Sequence, residues 1–162
     1  MSDETRLIHA GRPAGPLART VGPPIQKGST VLLPNADALY DDAHYLTYGR
    51  AGLAAQAALQ EALAVLEGAV GVSLYPSGIA AISGTMMALL KAGDEVLVVD
   101  NVYKPVRRFC DNVLRRFGVA VTYFDPRAAP EALVGEASDA VRMILMETPG
   151  SLSFEMQDMP RV

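Results

Sequence analysis

The sequence predicts an α/β fold: a mostly parallel sheet with flanking helices, truncated, and preceded by an extended N-terminal arm. Three observations predict it. Apolar runs of strand length recur at 95–100 (EVLVVD), 119–125 (VAVTYFD) and 141–147 (VRMILME). Stretches with helical spacing separate them, and strands alternating with helices build βαβ units whose strands lie parallel. Residues 1–50, by contrast, are dense in proline and glycine. The expected division is an arm over 1–50 and an incomplete α/β domain over 51–162.

In the arm, Pro13, Pro16, Pro23, Pro24 and Pro34 remove backbone donors, while Gly11, Gly15, Gly22 and Gly28 weaken regular elements. Little internal structure is expected. A structureless stretch of this length is unusual inside a compact domain. It is either disordered or laid on a partner subunit, and the apolar Ile25, Val31, Leu32 and Leu33 favour the partner. Beyond Gly49, the residues Leu53, Ala57, Leu59, Leu63 and Leu66 fall near helical spacing, with Gly68 as the stop. A short apolar run, Val72 to Tyr75, leads into Pro76-Ser77-Gly78 and a helix over 79–90. After the strand at 95–100, Pro105 opens a helix over 105–117. The strand at 119–125, a short helix over 130–137 and the strand at 141–147 complete the order. Strand ends are expected after Tyr75, Asp100, Asp125 and Glu147, and an open parallel sheet binds ligands beyond such ends. The closing ETPGSLSFEMQDMPRV runs from the last strand into a loop, and reads as an interrupted domain.

Composition narrows the class. The chain has 162 residues, enough for one domain with a core, and half of them are apolar. A net charge of -4 with scattered arginines gives no nucleic-acid footprint. The single cysteine, Cys110, excludes an intrachain disulfide and fits a reducing compartment; within RRFCDNVL it reads as a buried structural thiol. No apolar run reaches the roughly 18 residues of a membrane span, and MSDETRLIHAGRP lacks the order of a secretory signal. A cytoplasmic protein is expected. His9 and His44 lack partners at metal-site spacing, so no metal is expected. GPPIQKGS (22–29) is not a phosphate loop, because its lysine precedes the glycine.

Three constellations are candidates for chemistry. In YPSGIAAISG (75–84), Ser77-Gly78 opens a helix whose first N–H groups and positive dipole end suit a phosphate. An ordinary serine N-cap fits this motif equally well. In LTYGRAG (46–52), Tyr48 and Arg50 alternate, so a phenol and a guanidinium face one side and can clamp a dianion. Alone, a packed tyrosine and a surface arginine explain them better. In DNVYKP (100–105), Tyr103 follows a buried strand, where its ring could stack on a flat cofactor or simply cover the sheet end. Glu147 suits site lining, helix capping or loop fixing.

Taken in order, TRLIHAGR, PPIQKGSTVLLP, YGRAG, LEGAVGVSLYPSGIAAI, GDEVLVVDNVYKP, RRFGVAVTYFDP and METPGSLSFEMQDMP resemble the γ-family (Cys/Met metabolism) of pyridoxal-phosphate (PLP) enzymes. Within it, ETPGSLSFE is similar to the cystathionine β-lyase branch, whereas other branches read more like ESPTNP at this point. The resemblance implies a large domain of the type I PLP-transferase kind. It implies α,β-elimination of cystathionine to homocysteine, pyruvate and ammonia, in transsulfuration and methionine biosynthesis. The alternatives are another member such as a cystathionine or methionine γ-lyase, or a non-catalytic fragment keeping only the phosphate cradle. By the same resemblance, Ser77, Gly78 and Ile79 line the cradle and Tyr103 stacks on the pyridine ring and assists proton movements. Tyr48 and Arg50 reach the phosphate of a neighbouring subunit, so active sites are shared in a homodimer or homotetramer, on whose neighbours the arm packs.

The family also uses an aspartate at the pyridinium nitrogen and a Schiff-base lysine. Lys27, Lys91 and Lys104 do not stand in that lysine motif. The expectation is that both groups fall beyond Val162 and that the 162-residue chain alone is inactive.

Overall fold

The most continuous apolar run forms the middle of the sheet. In the computed structural model, which describes residues 2–11, 22–41, 43–44, 46–135 and 137–161, β1 is Glu95–Val99. It pairs in parallel with β2 (Ala120–Phe124) on one side and β3 (Val141–Leu145) on the other, giving the order β2-β1-β3. A central parallel strand is covered on both faces, so Val96, Leu97, Val98 and Val99 are all apolar and all buried. The flanking strands are only partly covered. After β2 the chain crosses β1 to reach β3, which places a switch point at the carboxyl end of the central strand.

The described residues form five α-helices: α1 (Asp3–His9), α2 (Ala54–Glu67), α3 (Gly78–Leu89), α4 (Lys104–Asn112) and α5 (Pro130–Gly135). Their contacts divide the chain into two compact units, Met1–Leu74 and Tyr75–Val162.

The second unit holds the sheet with α3, α4 and α5. Residues in register on parallel strands share a face, so Val96, Val98, Val121, Tyr123, Met143 and Leu145 point the same way. Ile82 of α3 lies beside Met143 and Leu145, and α4 packs over Tyr123, so both helices cover this face. Met86 of α3 and Val106 and Cys110 of α4 complete the core at zero exposure. Burying each valine stabilises the fold by about 1.5–3 kcal/mol. A short connection, residues 90–94, feeds α3 into β1, and α4 leaves β1 at its far end. The N-termini of both helices therefore lie at the carboxyl edge of the sheet.

The first unit holds α1 and α2 and a long irregular segment. Ser2 caps α1 by accepting the Thr5 N–H at 3.3 Å. That helix lies in the stretch whose prolines predict little internal structure. It precedes the first proline and starts on a serine cap, a local signal that composition averages away. Residues 23–28 carry no regular element, and Thr30 makes an antiparallel bridge to Tyr48. Pro13, Gly15 and Pro16 lie outside the described residues.

The other expected elements are present with shifted ends: the helix predicted over 105–117 is α-helical to Asn112 and then a 3₁₀ turn over Leu114–Phe117. One expectation is corrected. Val72 to Tyr75 form no strand. The run is squeezed between Gly71 and the donor-less Pro76, and Leu74 and Tyr75 stay 38% and 43% exposed, so neither a ladder nor a covered face holds it extended.

Candidate functional site

Ser77 is the N-cap of α3: its Oγ accepts the Ala80 N–H at 3.2 Å, and its carbonyl accepts the Ala81 N–H at 3.0 Å. No described residue accepts from the N–H groups of Gly78 and Ile79. A Cβ placed on Gly78 would meet nothing within 4 Å, so the first turn of α3 has open space beside it. The serine cap and the anion cradle, alternatives in the sequence, are therefore compatible here, because the Ser77 hydroxyl proton is still available. Two backbone donors, a hydroxyl and the positive end of a 12-residue helix suit a phosphate-sized oxyanion.

Tyr103 stands at the N-terminus of α4, with its ring 49% exposed beyond the end of β1. As an N-cap it brings no capping oxygen of its own. Its N–H donates instead to Glu147 Oε2 at 2.9 Å. Of the roles open to Glu147 in the sequence, the contact made is loop fixing, from the segment that follows β3. That segment makes further contacts to the same loop: the Asn101 amide donates to Glu155 Oε2 at 2.9 Å, and the Asn101 carbonyl accepts the Ser151 N–H at 2.9 Å. A Cβ on Gly150 would overlap the Asn101 side chain, so only glycine permits this approach. No sequence signal pairs Asn101 with Glu155. Asn101, Asp125, Ser153 and Glu155 line an open cleft of about 510 Å³ at the carboxyl ends of β1 and β2.

Arg107 ties α4 to the sheet. It donates to the Asp100 carbonyl at 2.7 Å, pairs with the Asp100 carboxylate, and lies 3.9 Å from the centroid of the Tyr123 ring. The Tyr123 hydroxyl donates to Asp111 at 3.0 Å. Burial first, and then this bond, hold the Tyr123 phenol well above its ordinary value, so it is a packed structural group. The Cys110 thiol is fully buried and pushed up to about 11 by desolvation and then by the Asp111 charge, which leaves it unreactive. His44 does have an acidic neighbour, with Nδ1 2.8 Å from Asp41 Oδ1. Among the described residues no three His, Cys, Asp or Glu side chains cluster to hold a metal.

In the first unit, the Arg50 guanidinium lies 5.1 Å from the Tyr48 ring centroid, and both side chains are exposed. Tyr48 is extended, while Arg50 sits in the 3₁₀ turn Gly49–Ala51. The Gly49 N–H donates to the Ser29 carbonyl at 2.7 Å, and a Cβ on Gly49 would lie 2.7 Å from the Gly28 oxygen. The close approach of residues 28–30 to Gly49 thus admits no side chain there. Tyr48 and Arg50 belong to the first unit; Ser77, Gly78, Ile79 and Tyr103 belong to the second.

Residues 4–162 match the family described as Cys/Met metabolism PLP-dependent enzyme. The chain belongs to that family. A putative cystathionine beta-lyase of Rhizobium johnstonii is 42% identical over 160 residues, covering 98% of this chain and 40% of the relative. The cystathionine beta-lyase MetC of Escherichia coli is 30% identical over 164 residues, covering 98% of this chain and 41% of the relative. The crystal structure of cystathionine gamma-lyase from Lactobacillus plantarum complexed with L-serine superposes with a TM-score of 0.85 at 28% identity, over 98% of this chain and 40% of that one. The chain thus spans about 40% of the length of these relatives. The family's cofactor is pyridoxal 5'-phosphate, whose phosphate the donor set at Ser77, Gly78 and Ile79 fits.

Proposed function

We propose that this chain is part of a carbon–sulfur lyase that cleaves cystathionine by α,β-elimination to homocysteine, pyruvate and ammonia. The observation that carries the reading is the pair of unaccepted N–H groups at Gly78 and Ile79, with open space beside Gly78, in a chain of a PLP-dependent family. When bound, the cofactor withdraws electrons from the substrate Cα. Gly78, Ile79 and Ser77 hold its phosphate, and the α3 dipole contributes about 0.3–1 kcal/mol toward that charge. Tyr103 lays its ring against the flat face of the cofactor, and its Oη assists proton movements at the substrate. Tyr48 and Arg50 add a phenol and a guanidinium to the phosphate of a neighbouring subunit. The active sites are thereby shared within a homodimer or homotetramer. The arm, residues 1–50, packs on those neighbours, and residues 51–162 form part of the cofactor-binding domain. No helix among the described residues is long and apolar enough to cross a membrane, and a cytoplasmic enzyme of sulfur amino-acid metabolism is the reading adopted.

The first test is the intact mass of the protein purified from its own source, followed by a product assay on that form. A mass well above 17.2 kDa, with pyruvate released from cystathionine, is the expected result. Release of 2-oxobutyrate instead would make it a γ-lyase, the reading favoured by the likeness to the Lactobacillus plantarum enzyme. Release of neither pyruvate nor 2-oxobutyrate is the result that would overturn the lyase reading. The 162-residue chain alone is expected to release no pyruvate at an enzymatic rate. Replacing Arg50 by Ala removes a charge-assisted bond of about 1.5–3 kcal/mol, so PLP affinity should fall roughly 10- to 150-fold in fluorescence titration. Unchanged affinity would remove Arg50 from the site.

A further inference from the structure

We infer that Glu147 is a positioning residue for Tyr103: its carboxylate, in the segment just after β3, fixes the backbone from which the exposed Tyr103 ring projects. The inference rests on the reading that Tyr103 stacks on the cofactor. It gives Glu147, for which the sequence leaves site lining, helix capping and loop fixing open, a definite part in that site.

The geometry is that of a strap. The loop from Asp100 to Tyr103 connects the central strand to α4, and each end of it is held. At its start, Val102 is 6% exposed and donates to the Val99 carbonyl at 3.1 Å. Asn101 is bound from above by Ser151 and Glu155, at 2.9 Å each, with Gly150 pressed against its side chain. At its far end the Tyr103 carbonyl accepts the Val106 N–H at 2.9 Å, as the first bond of α4. The Tyr103 N–H is the remaining backbone group, and the bond from Glu147 fixes it across 44 residues of sequence. A serine or aspartate at an N-cap would close the helix with its own oxygen. A tyrosine cannot, and the Glu147 carboxylate holds the N–H of the N-cap residue itself from the segment after β3. The carboxylate also sits at the positive end of α4, where the dipole favours an anion. The backbone is thus immobilised on both sides while the ring stays free to meet a ligand.

The predicted consequence is orientation rather than existence of the fold. Glu147→Ala removes the acceptor. Glu147→Gln keeps an oxygen that accepts the same N–H. Both are made in the protein as its own cell produces it. In the cofactor-free protein, hydrogen exchange at the Tyr103 amide should accelerate in Glu147→Ala and stay near wild type in Glu147→Gln. With PLP bound at equal occupancy, the circular dichroism of the cofactor band should weaken in Glu147→Ala and persist in Glu147→Gln. For the same pair, kcat should drop about ten- to a hundredfold in the alanine variant and be largely rescued by glutamine, with KM moving less. Equal behaviour of the two variants, whether both intact or both impaired, would overturn the inference. So would faster exchange with an unchanged cofactor band, since the strap would then be purely structural. Tyr103→Ala is the control for the underlying reading: if it leaves the cofactor band as in wild type, stacking by Tyr103 is wrong and the inference falls with it.

Discussion

The five-residue β1 buries Val96 through Val99, whereas the 14-residue α2 in the first unit buries none of its residues. Both stretches are equally regular in sequence. The difference lies in what stands next to them. β1 has a strand on each side and helices against one face, all within its own unit. On α2, Leu59 and Leu66 remain 50% and 56% exposed, and in the same unit Ile25 and Leu32 are 87% and 95% exposed. Periodicity reports that an element has an apolar face; it does not report what covers that face. The uncovered side chains of the first unit support the proposal that its arm lies on a neighbouring subunit.

The sharpest way to break this comparison is to put one charge in each unit. Val98→Asp buries an unpaired carboxylate at a position of zero exposure and should cost about 3–5 kcal/mol in denaturant unfolding, enough to abolish cooperative folding. Leu59→Asp, on a half-exposed face, should cost within about 0.5 kcal/mol in the dispersed chain. Equal losses would mean that the two units share one core. A subtler pair uses glycine. Gly49→Ala drives a methyl against the Gly28 carbonyl and should destabilise the first unit by about 1–3 kcal/mol, read as faster proteolysis around residues 28–49. Gly78→Ala fills open space in the second unit and should shift unfolding by less than about 0.5 kcal/mol. Similar effects of the two would contradict the spacing seen at Gly49.

The smallest effect concerns pH. Hydrogen bonds from Ser138 first and Thr122 second, each 2.6 Å long, hold the Glu95 carboxyl below its ordinary 4.5 at the start of β1. A lowered folded-state value stabilises above 4.5 and loses that contribution as pH falls through the folded value. Ser138→Ala should therefore move the acid unfolding midpoint of the second unit slightly upward. No shift in acid titration followed by circular dichroism would place this bond among surface contacts without consequence.

Much of the second unit was legible because its signals are periodic and local: three apolar runs, a proline opening α4, a serine opening α3. The strand expected at Val72 to Tyr75 failed because three apolar residues and a serine say nothing about whether a neighbour will pair with them. The helix α1 went unseen because a proline count over 50 residues outweighed a serine cap at its very start. At the candidate site, the Ser77 turn followed from its glycine, whereas Tyr48 and Arg50 come near each other through the 3₁₀ turn Gly49–Ala51 and not through the extended alternation expected of them. The bond from the Tyr103 amide to Glu147, and that from Asn101 to Glu155, join residues 44 and 54 positions apart. Long-range polar pairs of this kind have no period, so only the folded chain brings them into view.

The strand order also has a consequence for synthesis. The middle strand is the first of the three to leave the ribosome, and its partner on one side follows roughly 20 residues later. At about 5–20 residues per second, VLVV spends on the order of 1–4 seconds with both backbone edges open. The segment that ends as the best protected in the unit is thus the most vulnerable while it is being made; α3, already outside, is its earliest shield, and α4 emerges directly behind it.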